Sequence, residues 1–399
     1  MWEREIDIHQ VAEVRTKTTT YLGAGAINKM SDIAAALTGR GIKKAVVVTG
    51  KGSYIKSGAW DVVKKALDEK GIGYVVYNKI TPNPTADQVD EAVKIARDFG
   101  ATAVIAIGGG SPIDAGKGVA ILLAYPDQTA RDLCEFKFSV EKAVPVIAVN
   151  LTHGTGTEVD RFAVITIPEK EFKPVLAFDC IYPLYSIDDP ALMTLLPPDQ
   201  TSYVSVDAVN HVIEAATTKA GNPLAVSLAK ETIDIVARYL PQARKDPGDL
   251  AARYHLLYAS LIAGVAFDNG LLHLTHALEH PLSGLKPELA HGLGLGILLP
   301  AVVKQIYPAK AGILAAILAP LVPGLQGTPD EAAQAHDGLK KWLKQVGIKQ
   351  HLTEEGFTAK DIDRLVELAF DTPSLGLLLS MAPVEASRDV VRTIYEDSL

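Results

Sequence analysis

Ala103-Val104-Ile105-Ala106-Ile107-Gly108-Gly109-Gly110-Ser111-Pro112-Ile113-Asp114 is the stretch that decides the fold. Its first five residues form an unbroken apolar run, the pattern of a strand buried on both faces. Glycines and Ser111 follow, and the next residues read as a helix. Strand, glycine loop, helix is the repeating unit of a parallel sheet covered on both faces. The same alternation extends outward. Residues 45–50 read as a buried strand ending in glycine and 58–70 as a helix. Tyr74-Val75-Val76-Tyr77 is the next strand, 85–99 an amphipathic helix, and 144–149 one more strand. Residues 161–188 are more mixed, with short strands such as 162–167. After Leu196-Pro197-Pro198 long helical patterns take over and β-branched runs become rare. A chain of 399 residues exceeds what one core usually holds. We therefore expect an α/β domain over 1–195 and an all-helical domain over 196–399. No internal repeat or low-complexity segment is visible.

Composition excludes several classes. Hydrophobic residues at 48% and charged residues at 22% are those of a soluble globular protein. The net charge of −8 and the lack of any basic block argue against a nucleic-acid partner. Two cysteines, Cys134 and Cys180, are too few for a disulfide framework or a thiolate zinc site, and fit a reducing compartment. Residues 1–7 lack the apolar core of a signal peptide. The most apolar stretch, 311–322, contains Pro320 and is too short to span a bilayer. The expectation is a cytoplasmic protein with no membrane partner.

Three loops carry chemistry. At the end of a strand, Gly109, Gly110 and Ser111 open a helix whose backbone N–H groups can face a phosphate. Glycines allow close approach, and Ser111 can cap the helix or bond a phosphate oxygen. It is neither the six-residue Rossmann fingerprint nor a P-loop. A tight strand-to-helix turn explains it equally well. Thr152-His153-Gly154-Thr155-Gly156-Thr157-Glu158 is a second such loop, with hydroxyls that can grip a ribose or pyrophosphate. Its plain alternative is a hydroxyl-stabilised turn. Two such loops at strand C-terminal ends favour a dinucleotide. The third loop is Thr49-Gly50-Lys51-Gly52-Ser53. An NAD site often has a carboxylate at such a strand end, to bond the ribose. Here Gly50, Lys51, Gly52 and Ser53 could accept a 2′-phosphate instead, so NADP(H) is favoured over NAD(H). Otherwise Lys51 is a solvated charge on a turn.

The helical half holds two clusters of potential metal ligands, Asp207-Ala208-Val209-Asn210-His211 and His276-Ala277-Leu278-Glu279-His280, followed by His291. Asp207 and His211 are spaced i, i+4, as are His276 and His280, so each pair shares a helix face. Such pairs on rigid elements suit a divalent transition metal. The bland reading of Asp207 and His211 is a surface ion pair. His273, His276 and His280 share a face and cannot all hold one ion. His255 reads as a satisfied core histidine, and His273 is open to the same reading. Gly292, Gly294 and Gly296 after His291 suit a crowded site or close helix packing.

With these residues quoted, the chain resembles the iron-containing (group III) alcohol dehydrogenase family over nearly its whole length. The resemblance rests on residues 108–117, Gly154-Thr155-Gly156-Thr157-Glu158-Val159, Asp207-Ala208-Val209-Asn210-His211-Val212-Ile213-Glu214-Ala215, and His276 to His280 with Pro281 and His291-Gly292. It implies a Rossmann-like dinucleotide-binding α/β domain and an all-α C-terminal domain, an architecture like that of dehydroquinate synthase, with the active site in the cleft between them. By motif position the metal ligands would be Asp207, His211, His276 and His291. His280 would be a catalytic histidine near the nicotinamide and not a ligand. Gly109, Gly110 and Ser111 would hold the pyrophosphate, with Asp114 in the same motif. Thr152, Thr155, Lys173, Leu192 and Met193 would line the cofactor groove, and Asn83 the adenosine end. His153 and Asp160 stand where the family commonly has small or hydroxylic residues. NAD-preferring members often carry Asp where this chain has Gly50.

The expected reaction is reversible hydride transfer between NAD(P)(H) and a small alcohol or aldehyde, with Fe2+ (or Zn2+) as Lewis acid. A homodimer or higher homo-oligomer is expected. The rivals are a glycerol or polyol dehydrogenase on the same fold, a dehydroquinate synthase-like lyase, and a metal-dependent hydrolase that uses no dinucleotide. A lyase acting on a phosphate-bearing substrate would want basic residues near the ligands, where this chain has mainly Leu, Ala, Phe267 and Asn269.

Overall fold

The computed structural model describes residues 15–399; the reading of residues 1–7 lies outside them. The described chain folds as two compact units. The first holds Thr16–Leu196 with Gly248–Tyr258. Its strands are β1 (Thr19–Leu22), β2 (Lys44–Gly50), β3 (Gly73–Ile80), β4 (Val104–Gly108), β5 (Val146–Asn150), β6 (Phe162–Val164), β7 (Val175–Ala177) and β8 (Tyr185–Asp188). Its helices are α1 (Met30–Gly39), α2 (Ser53–Lys56), α3 (Ala59–Glu69), α4 (Ala86–Phe99), α5 (Gly110–Ala124) and α6 (Ala130–Cys134).

Six strands form one parallel sheet in the order β1-β8-β5-β4-β2-β3. Of the strands read from the sequence, β5, β4 and β2 lie in its interior and β3 at its edge. Alternate residues point to opposite faces. Val46, Val48, Val104 and Val146 pack with α4 and α5 residues such as Val89 and Val119. Val47, Ile105, Ile147 and Val149 pack with Ile33, Leu37, Val63 and Leu67 of α1 and α3. The two-sided cover explains why these strands show no polar alternation. The stretch read as a strand over 162–167 is shorter: β6 pairs antiparallel with β7 and ends at Val164.

Two glycines let helix α5 pack closely, Gly116 against β4 of the sheet and Gly118 against the residue that follows β6. A Cβ on Gly116 would stand 2.9 Å from the Ala106 Cβ, and one on Gly118 would stand 2.6 Å from Ile165 Cδ1. Between them, the fully buried Lys117 donates to Thr157 Oγ1 (2.9 Å), Asp160 Oδ1 (2.9 Å) and the carbonyls of Asp160 (3.0 Å) and Phe162 (2.7 Å). A buried ammonium needs such partners. The unusual Asp160 is thus its counter-ion.

The second unit holds Pro197–Pro247 and Ala259–Leu399. It is built from α7 (Pro198–Thr217), α8 (Pro223–Lys245), the later part of α9 (Leu250–Gly270), α10 (Leu274–Leu285), α11 (His291–Ile306), α12 (Ala311–Leu318), α13 (Ala332–Gln345), α14 (Ile362–Asp371), α15 (Leu375–Met381) and α16 (Arg388–Ser398). Within the expected helical domain of 196–399 there is one excursion. Residues 248–258 group with the sheet unit, where the buried Arg253 donates to the Leu196 carbonyl at 3.1 Å. Among the described residues, α9 and the stretch His291–Ala309 are long and apolar enough to cross a membrane, but 61% and 78% of these windows are buried inside the protein, as in core helices.

Candidate active site

In the sheet unit the two glycine-and-hydroxyl loops interlock. Gly108 has φ +159° and closes onto Pro112, whose Cγ would lie 2.4 Å from any Cβ there. Its carbonyl accepts Leu151 N–H at 2.9 Å, which ties the loop after β4 to the loop after β5. A Cβ on Gly109 would meet Thr152 Oγ1 at 2.7 Å, and one on Gly110 would meet Thr155 Cγ2 at 2.8 Å. Both threonine hydroxyls are buried without a hydrogen-bond partner among the described residues. They flank a helix start that no side chain caps. Orphaned hydroxyls, an uncapped helix N-terminus and a cradle that a Cβ would fill suit a pyrophosphate. Ser111 does not cap α5, because the helix begins one residue earlier, at Gly110.

Asp114, expected as a cofactor contact, also braces the neighbouring loop. Its oxygens accept Thr157 Oγ1–H (2.6 Å) and Val164 N–H (3.0 Å), so it shapes the loop behind the cradle. Burial pushes its pKa up, against the pull of Lys117. Lys51 and Ser53 are exposed, and Gly52 is half-buried. A Cβ on Gly50 would stand 3.2 Å from the Ile80 carbonyl oxygen. Asn83 adopts left-handed backbone (φ +53°) and is buried, as are Lys173, Leu192 and Met193. Leu192 belongs to the core against α1 and α3.

Sequence reasoning missed a carboxylate pair in this unit. Asp188 ends β8 and accepts from Asn150 Nδ2 at 3.0 Å, and burial pushes its pKa up to about 7. Glu158 is pushed well up too, by burial first and then by the charge of Asp188. Neither Glu158 oxygen has a hydrogen-bond partner among the described residues. Below the unfolded value of 3.8 Asp188 is protonated in both states and costs nothing. As pH rises to about 7 only the unfolded chain ionises, so stability is lost across that window. Asp188→Asn keeps the acceptor for Asn150 and removes the charge. It is expected to stabilise the cofactor-free protein by on the order of 2 kcal/mol at pH 8 and by less at pH 5. Urea midpoints at both pH values test this; an equal or inverted change would refute it.

The helical unit gathers the histidines. Helix α7 presents Asp207 and His211, α10 presents His276 and His280, and α11 begins at His291. Asp207, His211 and His276 are buried, so the surface-pair reading of the first two fails. Asp207 Oδ1 lies 3.5 Å from both His211 Nδ1 and His276 Nε2. One ligand atom each from Asp207, His276 and His291 lies within 4.8 Å of the others. His211 stacks on His276 with centroids 4.5 Å apart, and Phe267 stacks on His211 at 4.4 Å. His280 converges instead with Glu279 and His291. Asp207 Oδ1 and His276 Nε2 are buried with no hydrogen-bond partner among the described residues. Two such atoms facing each other fit a cation, and one carboxylate with imidazoles suits iron or zinc.

Electrostatics separate the histidines. Burial holds His211 down to about 4. Burial also opposes the charge on His276, but Glu214 and Asp207 outweigh it and raise it to about 9. Glu214 goes the other way. Burial would raise it, yet His276 holds it at about 2.

Glu214 and Glu279 are two buried acids whose imidazole partners the sequence reading passed over. Glu214 Oε1 accepts the N–H groups of His273 (2.9 Å), Thr275 (2.9 Å) and His276 (3.4 Å). Its Oε2 bonds His276 Nδ1, and Glu279 Oε2 bonds His291 Nδ1. Spacing could have found both. Glu214 lies two helical turns after Asp207, and Glu279 three residues after His276. His273 caps α10, accepting Leu274 N–H at 2.7 Å, with its other nitrogen 2.9 Å from Thr217 Oγ1. His255 is only half-buried, edge-on to Tyr254, which corrects its reading as a core residue. The glycines after His291 do serve close packing. A Cβ on Gly292 would lie 2.1 Å from the Tyr203 carbonyl oxygen, and one on Gly294 would lie 2.9 Å from Glu279 Cγ.

The family model for iron-containing alcohol dehydrogenase matches residues 17–190, and that for the C-terminal part of the Fe-containing alcohol dehydrogenase family matches 201–399. The long-chain primary alcohol dehydrogenase AdhA of Thermoanaerobacter ethanolicus is 60% identical over 398 residues, covering 100% of both chains. The 1,3-propanediol dehydrogenase of Klebsiella pneumoniae is 34% identical over 88% of this chain and 90% of its own. Among solved structures, an archaeal halo-thermophilic alcohol dehydrogenase from a Red Sea brine pool superposes with a TM-score of 0.89 at 30% identity, covering 98% of this chain and all of its own. The NADH-dependent butanol dehydrogenase A of Thermotoga maritima gives 0.88 at 29%, covering 98% of each chain. A fused pair of matched halves, shared with these enzymes along the whole chain, leaves no room for the lyase or the hydrolase: the chain belongs to the iron-containing alcohol dehydrogenase family and is an oxidoreductase that interconverts alcohols and aldehydes with NAD(P)(H).

Proposed function

We propose that the substrates are primary alcohols and their aldehydes, long apolar chains included, and that NADP(H) is the favoured cofactor. The relative at 60% identity, named for long-chain primary alcohols, supports the first point and widens the small substrate expected from sequence. Exposed Lys51 and Ser53 beside a strand end without a carboxylate support the second.

The observation that carries the mechanism is the convergence of Asp207, His276 and His291, with Asp207 Oδ1 and His276 Nε2 unpartnered. These residues and His211 would hold Fe2+ or Zn2+. When bound, the ion supplies Lewis acidity to the alcohol oxygen and the nicotinamide carries the hydride. Asp207 contributes the one negative charge of the set. Phe267, stacked on His211, keeps that ring oriented and its face dry. Gly109, Gly110, Thr152 and Thr155 would hold the pyrophosphate by backbone amides and hydroxyls. A nitrogen of His280 takes the alcohol proton towards solvent.

The test follows the reduced-nicotinamide absorbance with primary alcohols from two to ten carbons and both cofactors. kcat/KM is expected to rise with chain length and to be higher with NADP(H). Lys51→Ala should cost about tenfold with NADP(H) and little with NAD(H), as loss of one charge-assisted contact of about 1.5 kcal/mol implies. Gly50→Asp is a poorer probe, because the Ile80 carbonyl crowds any side chain there. Equal use of the two cofactors, or an NAD(H) preference, would defeat the cofactor reading. A flat profile across chain lengths would defeat the substrate reading.

A further inference from the structure

We propose that Glu214 and Glu279 are positioning residues that fix the tautomers of two ligand histidines, a proposal that rests on His276 and His291 being ligands. A neutral imidazole has one N–H and one lone pair, and the partner of one nitrogen decides what the other offers. A carboxylate only accepts. Glu214 Oε2 at His276 Nδ1 therefore keeps the proton there, so that an ion entering the site takes the place of the Nε2 proton and binds that nitrogen. That nitrogen is the one facing Asp207 Oδ1 without a hydrogen bond. Glu279 does the same at His291 Nδ1.

The two pairs form a relay along the chain. Glu214 stands on α7, two turns beyond Asp207, and grips His276 on α10. Glu279 stands on α10, three residues beyond His276, and grips His291 at the start of α11. Each helix thus orients the ligand of the next, which converts three separate helices into one donor set. Glu214 has a second task on its other oxygen, which accepts three amides of the first turn of α10. A carboxylate at a helix N-terminus stabilises the helix by itself. The competing account is that Glu214 is a cap and nothing more.

Glu214→Gln separates the two tasks. The amide oxygen can still accept the three backbone amides, so the cap survives. The amide NH2 then faces His276 Nδ1 and donates to it, which moves the ring proton to Nε2 and blocks the ligand atom. Zinc affinity, read by chelator competition, is expected to fall roughly 10- to 100-fold, as for other carboxylates behind a ligand histidine. The melting temperature of the metal-free variant should stay near that of the parent. In the zinc-loaded parent, histidine-selective 15N spectra should show a protonated Nδ1 and a metal-bound Nε2 for His276, and Glu214→Gln should lose that Nδ1–H signal. Glu279→Gln caps no helix and provides the same test at His291 if the first variant fails to fold. Unchanged zinc affinity in both variants, with binding abolished in His276→Ala, would overturn the positioning role alone. Unchanged affinity in His276→Ala as well would overturn the ligand assignment and this proposal together. A destabilised metal-free Glu214→Gln that keeps full affinity would make Glu214 a cap only.

Discussion

His276→Ala is expected to abolish both bound metal and turnover, while His280→Ala keeps the metal and loses rate. The two residues are one helical turn apart on α10, yet they face different partners. His276 Nε2 lies 3.5 Å from Asp207 Oδ1, at the centre of the buried donor set, and its loss also leaves Glu214 buried without its cationic partner. kcat/KM should fall by on the order of 10³-fold or more, about 4 kcal/mol of barrier. His280 groups with Glu279 and His291 and stays out of the Asp207 set. Its removal should cost roughly 10²- to 10⁴-fold, the range of general acid–base catalysis, and flatten the pH profile of kcat. Metal content by elemental analysis, alongside turnover, decides both. Stoichiometric metal in His276→Ala would sink the ligand assignment, and loss of metal in His280→Ala that excess ion repairs would turn that residue into a ligand.

Gly292→Ala should also weaken the site, although it adds a single methyl group. Its Cβ would lie 2.1 Å from the backbone oxygen of Tyr203, and a backbone inside α7 cannot swing aside as a side chain can. The helices must separate. Overpacking of this kind costs about 1–3 kcal/mol. Because His291 is the neighbouring residue and α7 carries Asp207, the separation also opens the donor set. The expected result is a lower melting temperature with zinc affinity down at least about tenfold, a loss of roughly 1.4 kcal/mol. Full zinc affinity in a folded Gly292→Ala protein would show that the α7–α11 spacing does not set the site.

The fold was legible because its strands are buried on both faces. Val46, Val47, Val104, Ile105, Ile147 and Val149 serve two cores at once, so their segments read as continuous apolar runs between glycine-ended loops. The polar clusters were legible because helical periodicity puts Asp207 with His211 and His276 with His280, although of the second pair it is His276 that faces Asp207. What escaped was any role that depends on which helix lies opposite. Glu214 and Glu279 look in sequence like ordinary helix acids, and only the meeting of α7 with α10 and of α10 with α11 gives them imidazole partners. The loop-shaping bonds of Asp114 escaped for the same reason: its partners, Thr157 and Val164, lie some 40 to 50 residues away, brought in by the loop that follows β5. Lys117 could not be read as buried without knowing that Asp160 meets it.

The close glycine contacts also decide where this sequence can drift. Gly116, Gly118, Gly292 and Gly294 sit inside helices, where alanine would ordinarily be the better helix former. A methyl group at Gly292 would collide with backbone, at Gly116 with the Cβ of Ala106 and at Gly294 with Glu279, and at Gly118 the end of Ile165 would have to shift. A stabilisation campaign ranked by helix propensity alone would begin with the positions that tolerate it least. The room lies elsewhere: the Cβ directions of Gly39 and Gly376, also helical, open onto empty space.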